Sequence, residues 1–146
     1  MEKAIEDFIS SKRLAVMGAS RSGKKFGNIA SKELVKRGYQ VFLVHPEAKE
    51  IDGEACYPGL SALQDKVDAV LICVSPPKAA QALQEAAASG LRNVWLQQGG
   101  DSPEVLNLAR QLNLNLVTRK CVLMYAPPVG SFHAWHRAFA KLFGQL

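Results

Sequence analysis

Leu14-Ala15-Val16-Met17-Gly18-Ala19-Ser20-Arg21-Ser22-Gly23-Lys24-Lys25-Phe26-Gly27 is the stretch that decides the reading of this chain. An apolar run ends at a glycine, a polar loop follows, and Phe26, Ile29, Ala30 and Leu34 then recur at helical spacing. This is a strand–loop–helix turn, with the helix beginning near Gly27. The first turn of a helix carries unpaired N–H groups and a partial positive charge, so it attracts phosphate. Glycines let the backbone approach an anion closely, and a hydroxyl such as that of Ser20 or Ser22 adds a hydrogen bond. Glycines at such a turn can also serve the turn alone. Three of them together with Arg21, Lys24 and Lys25 favour the anion.

Outward from this turn the chain alternates apolar runs with helix-like segments. The further runs are Val41–Val44, Ala69–Val74, Val94–Leu96 and Leu114–Val117. Most read apolar throughout rather than alternating, as expected of strands covered on both faces. Between them, Lys36 and Arg37 suit the last turn of the first crossover helix, and Gly38 ends it. Residues Lys78–Ser89 are rich in helix formers. Asp101 or Ser102 can cap a helix with Pro103 at its first position and Val105, Leu108, Ala109 and Leu112 on its inner face. Ile5, Phe8 and Ile9 mark a short leading helix, and residues 132–143 a closing one. The pattern predicts one Rossmann-like α/β domain spanning residues 1–146: a doubly wound sheet of about five parallel strands, in the order 3-2-1-4-5, with helices on both faces.

The 146 residues are ordinary in composition for a globular domain, 48% hydrophobic and 21% charged. No apolar run approaches the ~20 residues of a membrane helix, and the mixed acidic N-terminus is no signal peptide. Cys56, Cys73 and Cys121 are odd in number and form no CxxC pair, which suits reduced thiols in a cytoplasm. The net charge is +5, concentrated early: Lys12, Arg13, Arg21, Lys24, Lys25, Lys32, Lys36 and Arg37 face the single acid Glu33 between Ser10 and Gly38. Such a segment is either a solvated basic face or a field that concentrates an anionic ligand. No nucleic-acid-binding module is recognisable.

Three phosphate ligands compete for the loop. Gly18-x-x-x-x-Gly23-Lys24 matches most of a P-loop, but Lys25 stands where a Ser or Thr would hold magnesium. An NAD site needs tighter glycine spacing and an acid at the end of the second strand, where His45-Pro46 stand and Glu47 follows. The third ligand is coenzyme A. Gly18-Ala19-Ser20, Lys25-Phe26-Gly27, Gly38-Tyr39-x-Val41 and Val44-His45-Pro46 follow in order. Asp68-Ala-Val-Leu-Ile, Val74-Ser75-Pro76-Pro77 and Val94-Trp95-Leu96-Gln97-Gln98-Gly99 come after them.

In this order and spacing, from Leu14 to Cys121, the chain resembles the stand-alone CoA-binding domain proteins, similar to the CoA-binding domain of the succinyl-CoA synthetase α subunit. It departs from their pattern at His45, where Asn is usual, and at Gln98, where Pro is usual. The resemblance implies CoA or an acyl-CoA as ligand, with Gly18, Ala19, Ser20, Arg21, Lys24, Lys25, Phe26 and Gly27 around the diphosphate. It places His45 and Pro46 beside the nucleotide, Ser75, Pro76 and Pro77 under the adenosine or pantetheine, and Gln97, Gln98 and Gly99 on the far side.

Other chemistry is weakly signalled. His133 and His136 share a helical face but have no third ligand nearby, and Cys73 reads as mid-strand core. Cys121 follows two cations that would activate a thiol, yet a small buried residue is the simpler reading. No catalytic constellation stands out, and nothing reproduces the synthetases' phosphorylated histidine, so the expectation is binding without catalysis. A small NAD(P)-binding enzyme or redox sensor is the alternative. A homodimer or a protein partner on the basic face or aromatic tail is also left open.

Overall fold

The computed structural model describes residues 2–97 and 101–127. Strand β1 (Arg13–Met17) lies at the centre of a seven-stranded sheet. On one side it pairs in parallel with β2 (Gln40–Val44), then β4 (Glu54–Tyr57), and β3 (Glu50–Ile51) closes that edge antiparallel to β4. On the other side come β5 (Ala69–Ile72), β6 (Asn93–Leu96) and β7 (Asn115–Val117), all parallel.

The order expected from sequence is corrected here. The five predicted strands lie as 2-1-3-4-5, because the third of them crosses to the far side of β1. The place beside β2 belongs to β4, which sequence reading missed. With β4 included, the parallel strands run 3-2-1-4-5-6. A signal for it was present: Asp52-Gly53 takes positive φ at both residues (51° and 82°), the turn that joins tight hairpins, here β3 to β4.

The helices are α1 (Glu2–Ile9), α2 (Phe26–Lys36), α3 (Pro76–Ala88) and α4 (Pro103–Gln111). The apolar runs are continuous because each strand feeds two cores. Leu14, Val16, Leu71 and Trp95 face one way, with Ile5 and Phe8 of α1 and Leu34 of α2. Ala15, Val70, Ile72, Val94 and Leu96 face the other, with Leu83 of α3 and Val105 of α4. Ser102 caps α4 by accepting the Val105 N–H, and Gly38, at φ 96°, ends α2. Ile29, expected on the inner face of α2, is exposed instead.

Side chains tie the segments that flank the sheet onto this frame. Phe8 meets Trp95 edge-on, with ring centroids 5.2 Å apart. The Trp95 indole N–H donates to the Lys120 carbonyl (2.9 Å), and Arg37 donates to the carbonyls of Leu123 and Ala126. The buried Tyr39 hydroxyl donates to the Ile9 carbonyl, and burial pushes its pKa up to about 12. Phe8→Ala should therefore destabilise the fold by about 3–5 kcal/mol, the usual cost of emptying a buried aromatic site. Denaturant unfolding followed by tryptophan fluorescence measures this, and a loss below about 1 kcal/mol would show that α1 contributes little to the core.

Candidate functional site

The carboxyl ends of the parallel strands open onto a cleft of about 690 Å³, within the usual size range of ligand pockets. Gly18, Ala19, Ser20, Arg21 and Lys25 of the β1–α2 loop form one wall. Val44 at the end of β2 and His45, Pro46 and Glu47 beyond it form another, with Pro58. The third carries Cys73, Val74 and Ser75 beyond β5 and a stripe of α3: Lys78, Gln81, Ala82 and Glu85.

The loop is wired in place before any ligand arrives. Asn28, 3% exposed on the first turn of α2, clasps Ser20: its Oδ1 accepts the Ser20 N–H and its Nδ2 donates to the Ser20 carbonyl, both at 2.9 Å. The Gly23 N–H donates to the same carbonyl, the Ser22 N–H to Ser20 Oγ, and the Lys24 N–H to Ser22 Oγ. The two serine hydroxyls, 3.0 Å apart, thus shape the loop. The first-turn N–H groups of Phe26 and Gly27 have no intrahelical partner, as at any helix start, and no side chain caps them. They are the donors suited to a phosphate.

Gly18 and Gly27 are required by packing. At φ 106°, a Cβ on Gly18 would lie 2.5 Å from the Cys73 carbonyl oxygen. A Cβ on Gly27 would lie 2.8 Å from the Gly18 carbonyl. The glycine at the strand end thus lets β1 pass the end of β5 closely, and Gly18→Val would disturb folding before it disturbed binding.

The cleft brings together Gly18, Ala19, Ser20, Arg21, Lys25, His45, Pro46 and Ser75 of the residues singled out from sequence. Lys24 is exposed on the loop outside the cleft lining, Phe26 packs on the core, and Gly27 is buried beneath Gly18. Pro76 and Pro77 form the start of α3 next to the cleft. Gln97 is buried, and its Oε1 accepts the Val122 N–H. Gln98 and Gly99 lie outside the described residues, as do His133, His136 and the expected closing helix. Sequence reading overlooked Asn28 and the α3 stripe. The spacing 78, 81, 82, 85 was a legible sign of one helical face.

Charge is distributed differently from the linear count. Arg13 is held by both Asp68 oxygens, Arg21 by Glu47 at 3.1 Å, Lys32 by Asp52, and Arg37 by Glu33. Half of the eight cations in the basic run are thus paired with acids, most of them remote in sequence. Glu47, the acid that an NAD site would need free, is one of these partners. His45 Nδ1 accepts the N–H groups of Glu47 and Ala48, leaving Nε2 as the polar atom of the ring not held by the backbone. Cys73 lies past the end of β5 and lines the cleft, which corrects its placement as mid-strand core. Burial pushes its thiol up to about 12, with Cys121 adding to the effect, so it stays protonated near neutral pH.

The family model for CoA binding domains matches residues 12–127, which hold every described wall of this cleft. The chain belongs to that family. It is similar to acetate–CoA ligase (ADP-forming) I of Archaeoglobus fulgidus, 27% identical over 77% of this chain and 18% of the ligase. The α subunit of acetate–CoA ligase (ADP-forming) II of Pyrococcus furiosus is 24% identical over 81% of this chain and 28% of that subunit. The chain therefore spans less than a third of these curated relatives. Among solved structures it resembles a hypothetical protein from Pyrococcus horikoshii OT3, with a TM-score of 0.75 and 28% identity over 85% of this chain and 88% of that one. No helix among the described residues is long and apolar enough to cross a membrane.

Replacing Asn28 by Ala removes the partner of the half-buried Ser20 N–H and one of the two donors to the Ser20 carbonyl, which keeps the Gly23 N–H. We expect a stability loss of about 1–3 kcal/mol together with weaker anion binding. Thermal unfolding and calorimetry of the one variant read both, and a variant as stable as the parent would mean that the loop holds its shape without the clasp.

Proposed function

We propose that this chain binds coenzyme A or an acyl-CoA in the cleft, with the diphosphate at the β1–α2 turn, and performs no catalysis itself. The observation that carries this reading is the prewired Gly18–Lys25 loop, whose first-turn N–H groups and Lys25 flank a cleft at the carboxyl ends of the strands. Family membership supports the ligand class. The chemistry of the walls supports binding over reaction: the Cys73 thiol stays protonated, Glu47 is held by Arg21, and Glu85 accepts the Leu60 N–H. In this reading the nucleotide lies between His45-Pro46 and Ser75, and the site works in the cytoplasm. The ligases it resembles are several times longer than the stretch they share with this chain, and in this reading the stretch supplies only the holding of the coenzyme.

CoA should raise the melting temperature by several degrees, since a ligand at a hundred times its Kd adds about 2.7 kcal/mol, while NAD and ATP do much less. A shift with NAD and none with CoA would overturn the assignment. Lys25→Ala should weaken CoA binding by about 1–3 kcal/mol and flatten its salt dependence, leaving the free protein as stable as before. Isothermal calorimetry at two ionic strengths measures both effects, and an unchanged affinity would return Lys25 to the general surface.

A further inference from the structure

Three cations line the cleft, Arg21, Lys25 and Lys78, and they are not equivalent. Arg21 is spent on Glu47. Among the described residues, Lys25 and Lys78 have no side-chain hydrogen bond or ion pair, and the remaining cleft carboxylate, Glu85, accepts the Leu60 N–H. Against the Glu47 and Glu85 carboxylates these three cations leave the cleft one positive charge in excess, and the two ammonium groups without a side-chain partner stand at separate points. Lys25 precedes α2 on one face of the sheet, and Lys78 occupies the first turn of α3 on the other.

The two ends differ in what the backbone can offer. At α2 the N–H groups of Phe26 and Gly27 are available. At α3 the first two positions are Pro76 and Pro77, which have no N–H, and the Lys78 N–H donates to the Ser75 carbonyl at 2.9 Å. An anion on that side has to be held by side chains, and the Ser75 hydroxyl, which caps nothing, and the Lys78 ammonium are the groups at hand.

We propose that Lys78 is a specificity-determining residue of the cleft, meeting a second phosphate group of the ligand, the 3′-phosphomonoester on its ribose. This rests on the CoA reading above and deepens it. Lys25 and the α2 amides take the diphosphate, which many nucleotides carry. Lys78 takes the phosphate that coenzyme A has and NAD, ADP and dephospho-CoA lack. The pairing of two separated charges with two separated phosphates makes the cleft selective through a contact remote from the loop.

Calorimetry on the full chain with CoA and with dephospho-CoA tests this. The parent protein should bind CoA roughly tenfold more tightly, the scale of one charge-assisted hydrogen bond. Lys78→Gln should bind both ligands with the parent's dephospho-CoA affinity, erasing the preference. Lys25→Gln should weaken both by a similar factor and keep the preference. A Lys78→Gln protein that still prefers CoA tenfold, or a parent that never preferred it, overturns the role of Lys78 while leaving CoA binding intact. A parent that binds neither ligand overturns the CoA reading itself.

Discussion

Helix α2 begins so close to the end of β1 that only hydrogen fits between them. Gly27 rests against the Gly18 carbonyl and Gly18 against that of Cys73, so α2, β1 and the end of β5 are locked at one spot. Once these three backbones touch, the start of α2 has to lie at the ligand edge of the sheet, and Asn28, one residue on, has to face Ser20. The loop then has no freedom to collapse into the cleft. Preorganisation of this kind matters because a binding loop that must be ordered by its ligand costs part of the affinity.

The second constraint is burial on both faces. In β1, Leu14 and Val16 enter one core while Ala15 and Met17 enter the other, and β5 repeats the pattern. A parallel strand with two dry faces can project polar groups only from its ends. Function is thus confined to the strand termini, and the carboxyl termini also face two helix starts. The two starts are chemically unlike: glycine and free amides at α2, two prolines and a lysine at α3. A ligand that spans both meets backbone donors at one end and an ammonium at the other.

Much of this was readable in the chain. The runs around Val16, Leu43, Leu71, Trp95 and Leu116 announce parallel strands, and the glycine-spaced loop announces the β1–α2 turn that lines the cleft. The edge hairpin escaped because Glu50-Ile51 and Glu54–Tyr57 are too short and polar to look like strands; only the Asp52-Gly53 turn marks them. Overlooking β4 also misplaced the crossing of β5, since the strand that lies beside β2 was taken to be the next long apolar one. Cys73 looked like core because the run Ala69–Val74 continues beyond the last paired residue, Ile72, and into the cleft wall.

Local periodicity determined the fold class and the position of the glycine-rich turn, and the order of short motifs carried the family resemblance, because all of these depend on residue types at short range. Only the tertiary structure decided which charges are free. In the linear chain, Arg13, Arg21, Lys32 and Arg37 look like one basic field together with Lys25. In the fold, Asp68, Glu47, Asp52 and Glu33 engage them, while Lys25 and a distant Lys78 are left facing the same cleft. Most of those pairings join residues far apart in sequence. Charge acts through space, and the distances that set it exist only once β1, β2 and β5 are side by side.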